Sequence, residues 1–213
     1  FAVACNVETG EPVYLDKSCI TRDHYDVCKA SCALPVACHP YEAGGVLCLD
    51  GGMADPVPIQ KAFDDGCDKV VLILTKPRDT VRQAKDDAIF AKLLRLRYPK
   101  AAAQLALRYK KYNDGVALAK EYEKQGKLLI VAPDSIGNLT TLGRTKEDLD
   151  MLYEKGLKDG QQINPLIADL RTGENLKEDA LEDFKLAISP MRRQIAMLSR
   201  LQLAQNSAAT GSD

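Results

Sequence analysis

The sequence predicts an α/β protein with a mostly helical C-terminal region, and three observations carry the prediction. Lys69-Val70-Val71-Leu72-Ile73-Leu74-Thr75 is an unbroken β-branched and apolar run. A strand of that kind is buried on both faces, as in a parallel sheet covered by helices. Lys127-Leu128-Leu129-Ile130-Val131-Ala132 has the same character. Between the two lies a long helical region, roughly residues 79–125, so strand, helix and strand alternate along the chain.

The remaining elements follow in order. Residues 1–6 and 12–15 read as two short strands joined by the turn-like Glu8-Thr9-Gly10-Glu11. A helix is expected over about 22–33, stopped by Pro35, followed by a loop over 38–45. A short apolar strand, 46–49, then runs into Asp50-Gly51-Gly52. Pro58 suits the first turn of a helix through Phe63 that ends at Gly66. The long helical region is expected to break at Pro99 and again near Gly115. Thr145-Lys146-Glu147-Asp148 is a capping box opening a helix to about Lys158. Ser189-Pro190 is a second start signal, after which Met191, Ile195, Leu198 and Leu201 form one apolar stripe. The small, polar residues 206–213 should fray. Neither an internal repeat nor a low-complexity segment is present.

With 213 residues the chain is long enough to bury a core, as one domain with a helical appendage. Its 29 Lys and Arg balance 30 Asp and Glu, and they read as interleaved throughout. That excludes the basic face that nucleic acid would require. No apolar run approaches the length that spans a bilayer, and no secretory leader is read. The opening Phe1-Ala2-Val3-Ala4-Cys5-Asn6 has neither an initiator Met nor a lead-in. It reads as a chain cut from a longer one, with an N-terminal half expected before it. The seven cysteines are odd in number, scattered, and without a C-x-x-C pair. Buried reduced thiols of a cytoplasmic protein are therefore expected, rather than a metal site or a disulfide framework.

The chemistry centres on Asp50, an acid placed where an apolar strand meets two glycines. Carboxyl ends of strands are where ligands bind in α/β sheets, and glycines there admit close backbone approach. Partial desolvation of such an acid would make it a better base. The plainer alternative is a turn cap, since Asp-Gly is a common turn dipeptide. Asp55, in Asp55-Pro56-Val57-Pro58, fits an extended, turn-initiating role. Of the serines, Ser135 in Pro133-Asp134-Ser135-Ile136-Gly137 comes nearest to a nucleophile elbow, but the first glycine is missing. His24 and His39 read as structural, and Tyr41, Tyr98 and Tyr112 as packing residues or the lining of an acyl pocket.

Taken together, several segments resemble the patatin-like phospholipases. They are Ala30-Ser31-Cys32-Ala33-Leu34-Pro35, then Leu49-Asp50-Gly51-Gly52-Met53-Ala54-Asp55-Pro56-Val57-Pro58, and the strand 69–75. Residues 4–14 are similar to the strand pair of that family. Tyr112-Asn113 and residues 126–133 are similar to a bacterial subgroup. The likeness is strong over residues 2–75, fair to about 160 and negligible beyond.

The resemblance implies a three-layer α/β/α patatin-like sheet, incomplete here, over residues 1–135. A helical C-terminal region, 136–205, and a flexible tail, 206–213, would follow. It also implies a lipid acyl hydrolase with a Ser-Asp dyad: a phospholipase, lysophospholipase or carboxylesterase. Asp50 would be its general base, within the motif Asp50, Gly51, Gly52. The serine and its glycine-rich oxyanion loop would lie upstream of Phe1, so this chain alone would be inactive. The substrate would be a phospholipid or other fatty-acyl ester, met in the cytoplasm with peripheral membrane contact, and no cofactor or metal is implied. The alternative is a non-catalytic patatin-fold protein that binds lipid or serves as a scaffold.

Overall fold

Short apolar stretches separated by tight turns build the first sheet. In the computed structural model, which describes residues 1–20, 24–137 and 145–165, β1 (Ala2–Asn6) and β2 (Pro12–Leu15) form an antiparallel hairpin. Ala2 lies opposite Leu15, and Cys5 opposite Pro12. The Asn6 carboxamide oxygen holds the turn by accepting from the Glu8 and Thr9 amides. β3 (Tyr41–Ala43) and β4 (Val46–Asp50) form a second hairpin. Residues 41–43 were expected within a loop. The reason for the difference is Gly44-Gly45, whose φ values of 61° and 77° suit the two-residue turn that matches strand twist. The four strands pair in the order β2-β1-β4-β3, antiparallel throughout.

Alternation along β1 and β4 gives this sheet two apolar faces. Ala4 and Cys48 pack with Val27 and Ala30 of α1 (Asp26–Ser31). Cys5, Val7 and Leu49 pack on the other side with Leu94 of α3 (Ala88–Leu94) and with Ala101, Ala102 and Leu105 of α4 (Pro99–Lys124). Helices therefore cover both faces. The protein is mixed α/β, as the sequence predicts at that level.

β5 (Val70–Ile73) and β6 (Leu128–Val131) form a separate, parallel pair, Val70 opposite Leu128. Parallel pairing was expected, and burial on both faces was not fully met. Leu128 and Ile130 are buried, whereas Ile73 is 66% exposed. A second core joins this pair to Val57, to Ile59 of α2 (Ile59–Asp64), and to Val116 and Ala119 of α4. α2 ends at Gly66, whose φ of 91° is the left-handed turn expected there.

α4 is thus a spine whose first half covers one sheet and whose second half covers the other. It starts with Pro99 in its first turn, as expected, but runs unbroken through Gly115. Helix propensity alone favours a break there. Tertiary packing decides otherwise, because a Cβ on Gly115 would lie 2.8 Å from the Cβ of Val57. Gly115→Ala should therefore lower stability by about 1 kcal/mol: overpacking costs roughly 1–3 kcal/mol, against about 1 gained in propensity. Urea melts of the single variant, and of Gly115→Ala with Val57→Ala, check this; the second change should convert part of the loss into a gain.

α5 (Lys146–Gly160) opens with the expected capping box. The Thr145 hydroxyl accepts from the Asp148 amide at 3.2 Å, and the Asp148 carboxylate accepts from the Thr145 amide at 3.0 Å. The chain divides into two units, Phe1–Gln162 and Ile163–Asp213. The region expected over 136–205 straddles that division. The Ser189-Pro190 start, the stripe from Met191 to Leu201 and the tail 206–213 lie outside the described residues. No helix among the described residues is long and apolar enough to cross a membrane.

Two further expectations need correction. Only Cys5 and Cys48 are buried, while Cys19, Cys28, Cys32, Cys38 and Cys67 are exposed free thiols. Nor are the charges interleaved throughout. Residues 88–113 hold Lys92, Arg95, Arg97, Lys100, Arg108, Lys110 and Lys111 and no acid.

Candidate functional site

Asp50 is the last residue of β4, and the chain turns away from the sheet directly after it. Its amide donates to the Ala33 carbonyl at 3.0 Å, and it lies opposite Ala4 of β1. The segment Ala30-Ser31-Cys32-Ala33 and the motif Asp50, Gly51, Gly52 therefore meet at one backbone hydrogen bond. The half-buried carboxylate accepts from the Gly52 amide through Oδ1 at 2.7 Å, capping the single 3-10 turn Gly51–Met53. Oδ2 accepts no hydrogen bond among the described residues.

At Gly51 there is no room for anything larger, and Gly52 is tightly flanked by side-chain atoms. A Cβ on Gly51 would sit 2.0 Å from the Val3 carbonyl oxygen, inside the β1 backbone. At Gly52 a Cβ would be 3.1 Å from Asp50 Oδ1 and 3.4 Å from Nη2 of Arg108. The bare Gly52 backbone lets the Asp50 carboxylate and the Arg108 guanidinium adjoin the same residue.

Three side chains distant in sequence pin the loop that follows. Asp55 accepts from the Tyr14 hydroxyl at 2.6 Å, through Oδ2. Burial, then this hydrogen bond, pushes the Tyr14 phenol well above its ordinary range. Lys111 Nζ donates to the Ala54 carbonyl at 2.7 Å and to Gln104 Oε1 at 2.6 Å. Arg108 also reaches Asp87, the buried acid at the foot of α3, at 3.6 Å, and Arg82 reaches the same carboxylate at 3.1 Å. The Nε atoms of both arginines are buried without a hydrogen-bond partner among the described residues. Asp55 thus holds a phenol rather than simply opening a turn. Tyr14, Asp87, Arg108 and Lys111 escaped sequence reasoning altogether.

The other residues named from the sequence fall elsewhere. Ser135 is an exposed loop residue whose hydroxyl accepts from the Gly137 amide at 3.0 Å. His24 is exposed. Tyr112 packs beside the β5-β6 pair with Arg82 over its ring, and Tyr41 is exposed on β3. Tyr98 and His39 line a cleft of about 280 Å³ with Val36, Ala37, Cys38, Pro40, Leu49, Leu93, Leu94 and Arg97. Its wall includes the residue before Asp50. Val36 holds a φ of 70°, a conformation that costs a β-branched residue about 1–3 kcal/mol.

Buried on the sheet face that packs against α3 and α4, Cys5 is pushed up to about 12 by burial and then by neighbouring Cys48, and burial raises Cys48 as well. Neither thiol suits a nucleophile, since thiolate is the reactive form.

Residues 98–170 match a family described as a domain of unknown function, DUF6363. The match includes α4, and so Arg108 and Lys111 of the Asp50 loop. No curated protein matches the chain.

Proposed function

We propose that the chain is the aspartate-bearing part of a patatin-like lipid acyl hydrolase, with Asp50 as general base of a Ser-Asp dyad. One observation carries the reading: the Asp50 carboxylate sits at a strand end, fixed through Oδ1 by the Gly52 amide, with Oδ2 accepting no hydrogen bond among the described residues. The Asp50 backbone amide, donating to the Ala33 carbonyl, adds support, because this bond joins two of the segments on which the resemblance rests. In this reading the serine comes from the N-terminal half of the same protein. The serine proton passes to Asp50 as the serine oxygen bonds to the ester carbonyl carbon. Asp50 passes that proton to the leaving alkoxide, which departs as the alcohol. The freed carboxylate then takes a proton from water as its oxygen bonds to the acyl carbon, and returns it to the serine oxygen as the fatty acid is released. The sheet is then part of a three-layer patatin-like core, and the substrate is a phospholipid or other fatty-acyl ester. The setting is cytoplasmic and peripheral to a membrane, and no cofactor is required.

The cap itself favours a second reading. An Asp that closes the turn Gly51–Met53 has a structural task whether or not it is a base, which suits a non-catalytic patatin-fold lipid binder or scaffold. The two readings separate on the longest natural form of the protein. Turnover of a short-chain nitrophenyl ester by that form, dependent on a serine in a G-x-S-x-G elbow, is the expected result. The 213-residue chain should show no turnover above background. Hydrolysis by this chain that disappears in Ser135→Ala would overturn the dyad assignment.

A further inference from the structure

α3 and the turn after it present two apolar faces, only one of which is used. Asp87, Ala91 and Leu94, at helical spacing, are buried against the core. Ile89, Phe90, Leu93 and Leu96 share the opposite side, where they are 71%, 47%, 50% and 88% exposed. The turn beyond Leu94 continues that side, because Arg95, Leu96 and Arg97 donate back to Ala91, Leu93 and Leu94. An exposed stripe of four large apolar side chains marks an interaction surface.

The charges say what it meets. Lys92, Arg95, Arg97 and Lys100 are exposed around the stripe, and none has a carboxylate partner among the described residues. The nearest acids in the chain are Asp86, whose carboxylate accepts from the Gln83 amide, and Asp87, held between two arginines. Large apolar side chains with Lys and Arg beside them are the pattern of a helix lying in a lipid interface. The cleft shares Leu93 and Arg97 with this face.

From cations without a carboxylate partner among the described residues, set around an exposed apolar stripe, we infer that residues 88–100 dock on an anionic phospholipid surface, with Ile89, Phe90, Leu93 and Leu96 inserted among the acyl chains. The inference goes beyond the Asp50 reading and rests on separate observations. Vesicle binding and ester turnover are also separate readouts, so each can fail alone.

The test is co-sedimentation of the 213-residue chain with vesicles of phosphatidylcholine alone, and with vesicles containing about one third phosphatidylglycerol. Binding should be at least about tenfold stronger on the anionic vesicles and should weaken with added salt, since each cation near such a surface strengthens binding roughly fivefold. Two variants read the parts separately. Lys92→Gln with Arg95→Gln and Arg97→Gln should erase the preference for anionic vesicles. Leu96→Glu should weaken binding to both. All four side chains are exposed, so circular dichroism should be unchanged, and the comparison of vesicles and salt with the unaltered chain needs no variant. Absence of binding, or equal binding to both vesicle types, would overturn the inference. So would a dimer of the unaltered chain that Leu96→Glu dissociates, because the face would then belong to a second copy.

Discussion

Asp50→Asn should reduce ester hydrolysis by the longest natural form about 10²- to 10⁴-fold, the contribution typical of a positioned general base. Asparagine suits this test because of what the carboxylate already does. The Gly52 amide donates to Oδ1 at 2.7 Å, and an asparagine carbonyl can accept that bond nearly as well at a cap. The turn, and with it the backbone of Gly51 and Gly52, should stay in place, so the loss would report proton transfer alone. Asp50→Ala separates the two roles from the other side, losing the cap as well, at a cost of about 1 kcal/mol in a melt. An Asn variant with full activity would leave Asp50 as a turn residue and favour the scaffold reading. Activity lost in kcat, with KM steady and an unchanged melt, would support the dyad.

The largest loss of stability should come from Asp87. Its carboxylate is shared by Arg82 and Arg108, with the three side chains 12%, 15% and 21% exposed. Asp87→Asn keeps the volume and removes the charge, leaving two guanidinium groups facing each other. Their Nε atoms already lack hydrogen-bond partners among the described residues, so the site has little slack to absorb the change. Breaking a buried pair from one side costs about 3–5 kcal/mol; partial exposure of the arginines places the expected loss near 3. A urea midpoint falling with an unchanged slope would verify it. Replacing Arg82 by Met in the same background should recover part of the loss, because it removes an uncompensated charge. Since Arg108 also adjoins Gly52, the Asn variant should disturb the Asp50 loop before it unfolds the chain. A loss below about 0.5 kcal/mol would mean that the cluster is effectively solvated.

How far the sequence could lead is visible in the same residues. β1, β2 and β4 were legible because strand alternation and turn chemistry act over a few residues, and the Thr145 box for the same reason. Asp50 was legible because an acid between an apolar strand and two glycines is locally unusual. Its supports were not. Tyr14 reaches Asp55 across 41 positions and Lys111 reaches Ala54 across 57, distances at which no local pattern survives. Gly115 misled for a related reason: propensity speaks of the isolated helix, whereas Val57, far back in the chain, decides whether a side chain fits. The exposed stripe of α3 was hidden because the spacing of its apolar residues does not say which of them the rest of the chain covers.

The placement of the cysteines bears on how the molecule would age in air. Oxidation needs thiolate and access, and the five surface thiols have the access that Cys5 and Cys48 lack. Those two sit on opposite faces of the sheet, each inside its own apolar cluster, with burial holding them in the protonated form. Chemical wear is thereby sorted by depth. The outer thiols take the damage, and the strands that present Asp50 keep their packing until the sheet itself opens.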